Sequence, residues 1–197
     1  MRGRFLALEG GEATGKTTQA RLLAERMGAV LTREPGGTDV GERVRSLFLD
    51  PALTVSPRTE ALLMAAARAQ HVAQVIEPAL VAGRSVVTDR FTASSLAYQG
   101  VGRGLDLAEV AALSAFATAG LQPDLVVLLE LPLDVAAARL GDTPDRLERE
   151  GAPFHARVAA GFRQLAAADP QRWAVVPATG SIDEVAAKVW AAVDRLP

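Results

Sequence analysis

The chain has 197 residues, 49% of them apolar and 22% charged, which is enough for one domain with a full core. A formal net charge of −2 excludes a global field that recruits nucleic acid or an anionic membrane, so an anionic ligand must be held by a local cluster. Cysteine is absent, which excludes disulfides, thiolate metal sites and cysteine nucleophiles and fits a reducing cytoplasm.

In chain order, Phe5-Leu6-Ala7-Leu8 reads as a buried strand, followed by a glycine-rich turn and a helix to about Met27. Ala29-Val30-Leu31 is a second short strand. Ser56 and Pro57 supply an N-cap and a proline at N1 for a helical pattern reaching about Val81, with Pro78 disturbing its last turn. Gly83 stops that helix, and Ser85-Val86-Val87-Thr88 forms a third strand ending on Asp89-Arg90. Asp106 and Glu109 resemble a capping box for a helix to about Ala119. Leu125–Leu129 is the fourth strand; it ends at Glu130 and Pro132, far short of the ~20 residues a membrane span needs. No signal peptide is expected, and the expected location is cytoplasmic. Trp173–Val176 is the fifth strand, and Ser181 with Glu184 opens the last helix. Five apolar strands alternating with helices, with the pattern Gly10-x-x-x-x-Gly15-Lys16-Thr17 between the first strand and helix, predict an α/β fold of the P-loop NTPase type. Its five-stranded parallel sheet carries helices on both faces, in a single domain over 1–197.

The stretch Gly10-Gly11-Glu12-Ala13-Thr14-Gly15-Lys16-Thr17-Thr18 matches the full phosphate-cradling pattern, between a strand and a helix as that pattern requires. Its glycines let backbone N–H groups converge on phosphate oxygens, and the helix N-terminus adds a favourable dipole. Lys16 is one of only two lysines among 21 basic residues. A slim ammonium fits this cradle where the planar fork of arginine does not. The nine residues are therefore the candidate ATP-binding loop. Thr17 and Asp89, at the end of the third strand, are the candidate Mg²⁺ residues. Asparagine is absent, which excludes the Asn-Lys-x-Asp loop of guanine-specific GTPases. Arg90, directly after the metal carboxylate, is placed to grip a second phosphate by two parallel hydrogen bonds.

Four further stretches are Thr32-Arg33-Glu34-Pro35-Gly36-Gly37-Thr38, Asp89-Arg90-Phe91, Ala97-Tyr98-Gln99-Gly100 and Asp145-Arg146-Leu147-Glu148. In register with the P-loop, they resemble the thymidylate kinase family, which makes dTDP from dTMP. The resemblance covers residues 5 to about 160. It implies ATP and dTMP as substrates, Mg²⁺ as cofactor, a homodimer, and no nucleic-acid or membrane partner. It also implies a dTMP site of Glu12, Arg33, Met64, Arg68, Arg90, Ser94, Ser95, Tyr98 and Gln99. Glu12 is expected at the sugar 3′-hydroxyl, Arg68 at the thymine edge and Arg90 on the dTMP phosphate. Ser95 is expected near thymine N3, and Tyr98 where it excludes a ribose 2′-hydroxyl.

Met64 stands where the family usually stacks a phenylalanine on the base, and Phe91 replaces the more common Tyr or His. Ala13 holds the P-loop position where some members carry a transition-state arginine, so that arginine is expected from a small lid at about 140–150. The lid segment Leu140-Gly141-Asp142-Thr143-Pro144-Asp145-Arg146 is short, with two aspartates before its first arginine. Arg139, Arg146, Arg149 and Arg157 are the candidates, and Arg146 is the expected ATP-side contact, with Lys16 and Arg90 as the other catalytic residues. Glu130 stands where the family more usually has aspartate. His71 and His155 read as surface or helix-face residues, and Trp173 and Trp190 as core or interface. Two other activities fit the same residues: a kinase for another small nucleotide, and a nucleotide-dependent switch without transfer.

Overall fold

Phe-Leu-Ala-Leu-Glu is buried at every position, as a strand covered on both faces must be. It is β1 (Phe5–Glu9), the central strand of a five-stranded sheet in a computed structural model that describes residues 1–141 and 145–196. The other strands are β2 (Val30–Arg33), β3 (Val86–Asp89), β4 (Leu125–Glu130) and β5 (Trp173–Pro177). They lie in the order β2-β3-β1-β4-β5, with every neighbouring pair parallel. The chain therefore leaves β1 toward one edge and leaves β4 toward the other. In such a sheet the ligand crevice opens at the carboxyl ends of the strands.

The helices are α1 (Lys16–Met27), α2 (Asp39–Leu49), α3 (Pro57–His71), α4 (Glu77–Val81), α5 (Thr92–Ser95), α6 (Leu107–Thr118), α7 (Leu133–Arg139), α8 (Ala152–Ala168) and α9 (Ile182–Val193). Alternate residues of β1 separate two cores. Leu6 and Leu8 pack with Leu23 of α1 and with Val185 and Val189 of α9, while Phe5 and Ala7 pack with Ile76, Leu80 and Phe91. A third cluster joins Met64, Tyr98, Leu147, Phe154 and Phe162 beneath the acceptor side of the crevice.

Several boundaries differ from the sequence reading. Strands β1, β2, β4 and β5 run past their expected ends to Glu9, Arg33, Glu130 and Pro177, while β3 ends on Asp89 as expected. Helix α2 was not anticipated; Thr38 caps it, accepting from Gly41 N. The helix expected to about Val81 holds but widens into a π-helical turn over Val72–Ile76, just before Pro78. That widening accommodates a ring that clashes in a regular helix. A second π-helical stretch, Leu96–Gly102, follows α5 and turns Tyr98 and Gln99 into the buried side. Ser181 and Glu184 form the full reciprocal capping box, whereas Asp106 caps α6 with its own carboxylate, accepting from Ala108 N and Glu109 N. Trp173 and Trp190 are both partly buried against core clusters.

Candidate active site

The loop between β1 and α1 wraps the first turn of α1, with Gly15 at φ 85, a left-handed value that suits glycine. Lys16 is buried. Its Nζ donates to Gly11 O at 2.5 Å and to Thr14 Oγ1 at 3.3 Å, so the ammonium lies folded over the loop. Burial, reinforced by Arg90, brings its pKa down to about 8. Thr17 Oγ1 donates to Asp89 Oδ2 at 2.5 Å, while Asp89 Oδ1 is shielded and has no partner among the described residues.

Arg90 joins the phosphate loop to α5. Its φ of 72 is rare for a residue with a side chain and signals backbone strain. Arg90 N donates to Leu8 O, and Thr88 Oγ1 donates to Arg90 O, both at 2.9 Å. The guanidinium donates from Nη1 to Gly10 O and Ser94 Oγ, and from Nη2 to Glu12 Oε1 at 2.8 Å and Tyr98 OH at 3.2 Å. The Tyr98 hydroxyl donates to the same Glu12 oxygen at 2.5 Å. Burial works against the Glu12 charge, but Arg90, Lys16 and Tyr98 outweigh it and hold the carboxyl down to about 2.

Glu9 was not singled out from the sequence. It is fully buried under this turn and accepts from Phe91 N (2.8 Å), Ser94 N (3.2 Å) and Ser94 Oγ (2.6 Å). Burial raises its pKa to about 7, against the hydrogen bond from Ser94. The available signal was a carboxylate ending a wholly apolar strand immediately before the loop.

Two cavities meet at the carboxyl end of the sheet. One is walled by the P-loop with Arg33, Arg45, Asp89, Arg90 and Arg139. The other is walled by Pro35, Phe48, Met64, Ser94, Tyr98, Gln99, Asp145 and Leu147. Glu12, Glu34, Arg45 and Arg90 line both, so two anionic groups placed there would face each other across shared arginines. Arg45 is the second residue the sequence reading missed; it lies on α2 and donates to Pro35 O at 3.1 Å.

A family profile described as thymidylate kinase matches residues 8–189. The chain belongs to the thymidylate kinase family. A thymidylate kinase of Synechococcus sp. (strain JA-2-3B'a(2-13)) is 54% identical over 201 residues, covering 98% of this chain and 96% of the relative. One from Deinococcus radiodurans is 50% identical over 201 residues, covering 98% and 97%. A crystal structure of thymidylate kinase from Ehrlichia chaffeensis has a TM-score of 0.82 at 30% identity, covering 98% of this chain and all of that one. The α/β sheet and the phosphotransferase class expected from the sequence are therefore those of the family.

The structure distributes the expected thymidylate kinase residues unevenly. Glu12, Met64, Arg90, Ser94, Tyr98 and Gln99 do converge on one pocket. Arg33 departs from that set: it pairs with Glu42 at 3.1 Å and lines the P-loop cavity. Arg68 is buried rather than surface-exposed, and Ser95 lies beside it. Both form a layer behind the pocket wall, with Arg68 Nη1 donating to Ser95 Oγ at 3.1 Å. His71, read as a surface or helix-face residue, has no exposed surface and bonds Glu34 and Thr32. His155 is half-buried on α8, its ring edge-on to Phe154. The expected lid at 140–150 includes residues 142–144, which lie outside the described residues. Arg146 does not face the P-loop. It pairs with the buried carboxylate Glu60, stacks over Phe48, and donates from Nε to Phe48 O at 2.8 Å. Arg139, at the end of α7, lines the P-loop cavity instead.

Among the described residues, no group of three His, Cys, Asp or Glu side chains is arranged to hold a metal. Thr17 and Asp89 form an all-oxygen pair with one carboxylate oxygen unpartnered, which fits Mg²⁺ completed by phosphate oxygens and water. No helix among the described residues is long and apolar enough to cross a membrane.

Proposed function

We propose that the protein transfers the γ-phosphoryl group of ATP to the phosphate of dTMP in a direct in-line step, in the supply of dTTP. The observation that carries the reading is the pair of cavities sharing Glu12, Arg45 and Arg90, one on the P-loop and one over Met64. A phosphate acceptor oxygen is already anionic, so neither a general base nor a covalent intermediate is needed. Catalysis is positioning plus charge neutralisation.

In this reading Lys16 swings from Gly11 O onto the β- and γ-phosphates. Arg90 and Arg45 hold the acceptor phosphate, and Glu12 keeps Arg90 aimed while meeting the sugar 3′-hydroxyl. Thr17 and Asp89 hold Mg²⁺, which when bound neutralises charge on the β- and γ-oxygens. Met64 lies on the base face, Arg68 and Gln99 read the thymine edge, and Tyr98 crowds a ribose 2′-hydroxyl. The transition-state arginine is assigned to Arg139, because Arg146 is engaged with Glu60.

A homodimer built on α3 and α6 accompanies this reading. Its support is the exposed apolar surface of Leu62 at 59% and Phe116 at 87% on two helices packed side by side. A cytoplasmic location fits the absence of cysteine.

The test is ADP formation by the purified protein with ATP and Mg²⁺, supplying dTMP, dUMP, dCMP, AMP or thymidine separately. Turnover selective for dTMP, lost in Lys16→Ala and Arg90→Ala, is the expected result. ATP binding without turnover on any acceptor would sink the transferase reading in favour of a nucleotide-dependent switch.

A further inference from the structure

Behind the acceptor pocket lies a buried polar chain that the transfer mechanism does not use. Thr32 Oγ1 on β2 is 2.6 Å from His71 Nε2, and His71 Nδ1 is 3.0 Å from Glu34 Oε1. The other Glu34 oxygen accepts from Arg68 Nε at 2.7 Å. Arg68 continues to Ser95 Oγ at 3.1 Å and to the carbonyl of Phe91 at 3.0 Å. Arg68 and His71 lie three residues apart on α3, and thus on one face of the helix. Glu34, Arg68 and His71 are each at or below 3% exposure.

The chemistry of this chain is directional. Opposite a guanidinium, the Glu34 carboxylate only accepts, so His71 Nδ1 carries the proton and donates. Nε2 meets the Thr32 hydroxyl at 2.6 Å, so contacts at both nitrogens fix the ring plane. A buried carboxylate faces a buried guanidinium, and the imidazole is held between Glu34 on Nδ1 and Thr32 on Nε2. The turn carrying Glu34 closes over the same ring: a Cβ at Gly37 would lie 2.7 Å from Thr32 Oγ1 and 3.0 Å from the imidazole. Gly37 has φ 75, so both its backbone and this approach require glycine. Arg68 spends three N–H groups on Glu34, Ser95 and Phe91, which leaves the remaining guanidinium N–H groups outside this chain.

We infer that His71 is a positioning residue for thymine recognition, acting through Glu34 on the orientation of the Arg68 guanidinium. The inference rests on the reading above that Arg68 serves the base edge. A carboxylate with one oxygen on Arg68 and no partner on the other can rotate and take the guanidinium with it. Held by His71 on the second oxygen, it cannot. A fixed donor favours the carbonyl of thymine and repels the amino group of cytosine, so His71 sets acceptor affinity and selectivity without touching the nucleotide.

The experiment compares His71→Asn with His71→Gln. The Asn amide falls near the position of Nδ1 and keeps the donor to Glu34; the Gln amide falls near Nε2 and gives that donor up. With ATP saturating, His71→Gln is expected to raise KM for dTMP about tenfold or more, and His71→Asn less than about threefold. In both variants kcat and KM for ATP move less than KM for dTMP, and His71→Gln also narrows the preference for dTMP over dCMP. Equal dTMP KM values in the two variants would overturn the inference. So would early melting of both, with ATP and dTMP binding lost together, because that assigns the ring to packing alone. Wild-type protein that turned over no dTMP would instead overturn the functional reading beneath it.

Discussion

Arg146 Nη1 reaches Glu60 Oε1, a carboxylate without solvent exposure on α3, and so ties the stretch before α8 to α3. Glu60 also takes Arg103 at 2.8 Å and Gln99 Nε2 at 3.3 Å. Arg146 N donates to Leu49 O at 3.2 Å, which fastens the same segment to the end of α2. An arginine held at three points against one wall is a structural clamp rather than a mobile charge for a transition state.

The two arginines should therefore separate when each is replaced by alanine. Arg139→Ala is expected to keep wild-type stability and lose kcat by roughly 10²–10³, the scale of a missing transition-state donor. Arg146→Ala breaks a buried pair, but Arg103 and Gln99 remain on Glu60. A loss of about 2–3 kcal/mol in stability is expected, below the ~3–5 of an abandoned buried charge. Denaturant melts and steady-state kinetics on both variants check this, and a stable, inactive Arg146→Ala would reverse the assignment.

Lys16 gives the site a pH dependence. In the free protein, burial and Arg90 lower its pKa to about 8, and a bound triphosphate raises it again. Below pH 8 the ammonium is already formed and ATP binds it directly. Above pH 8 binding must take up a proton, and affinity falls by up to about tenfold per pH unit. Titration calorimetry at pH 9 in two buffers of different ionisation enthalpy should show proton uptake, and Lys16→Ala should abolish it.

Glu12 receives both Arg90 and Tyr98 on one oxygen, and its carboxyl, at about 2, stays ionised throughout the working range. Glu12→Gln removes that charge and leaves Arg90 with its neutral partners. A fall in kcat of about 10–10² is expected. A dTMP analogue lacking the 3′-hydroxyl should lose less in Glu12→Gln than in wild type, because the shared contact is already gone. Equal losses in the two proteins would separate Glu12 from the sugar.

Phe116 and Leu62 supply the apolar face of the proposed dimer. Phe116→Asp is expected to shift the protein to monomer in sedimentation at micromolar concentration. An unchanged dimer would move the interface elsewhere.

The parts of this molecule that were legible in the sequence follow from local physics. A strand buried on both faces writes itself as an apolar run, and a phosphate loop needs glycines and a lysine at set spacing, so β1, β3, β4 and the P-loop were readable. The misses share one cause: polar residues whose surroundings come from distant segments. Glu9 ends its strand as a polar residue, and apolar-run reading stops one short of it although the ligand end of the sheet begins there. His71 looks like an ordinary helix-surface residue until Glu34 arrives from another element and bonds it. The pairing of Arg146 was not legible for the same reason, since its partner Glu60 lies far off in the chain. Arg45 was missed because α2, with polar residues between Val44 and Phe48, was never set apart from the turn before it.

The central claim is that the γ-phosphoryl group passes to dTMP and not to water. Following ATP labelled at the γ-phosphate, with Mg²⁺ and dTMP, and separating the products by chromatography tests it most directly. Label is expected in dTDP in step with ADP formation, with inorganic phosphate at background. Label accumulating in inorganic phosphate, or remaining in ATP while dTMP stays unchanged, would contradict it.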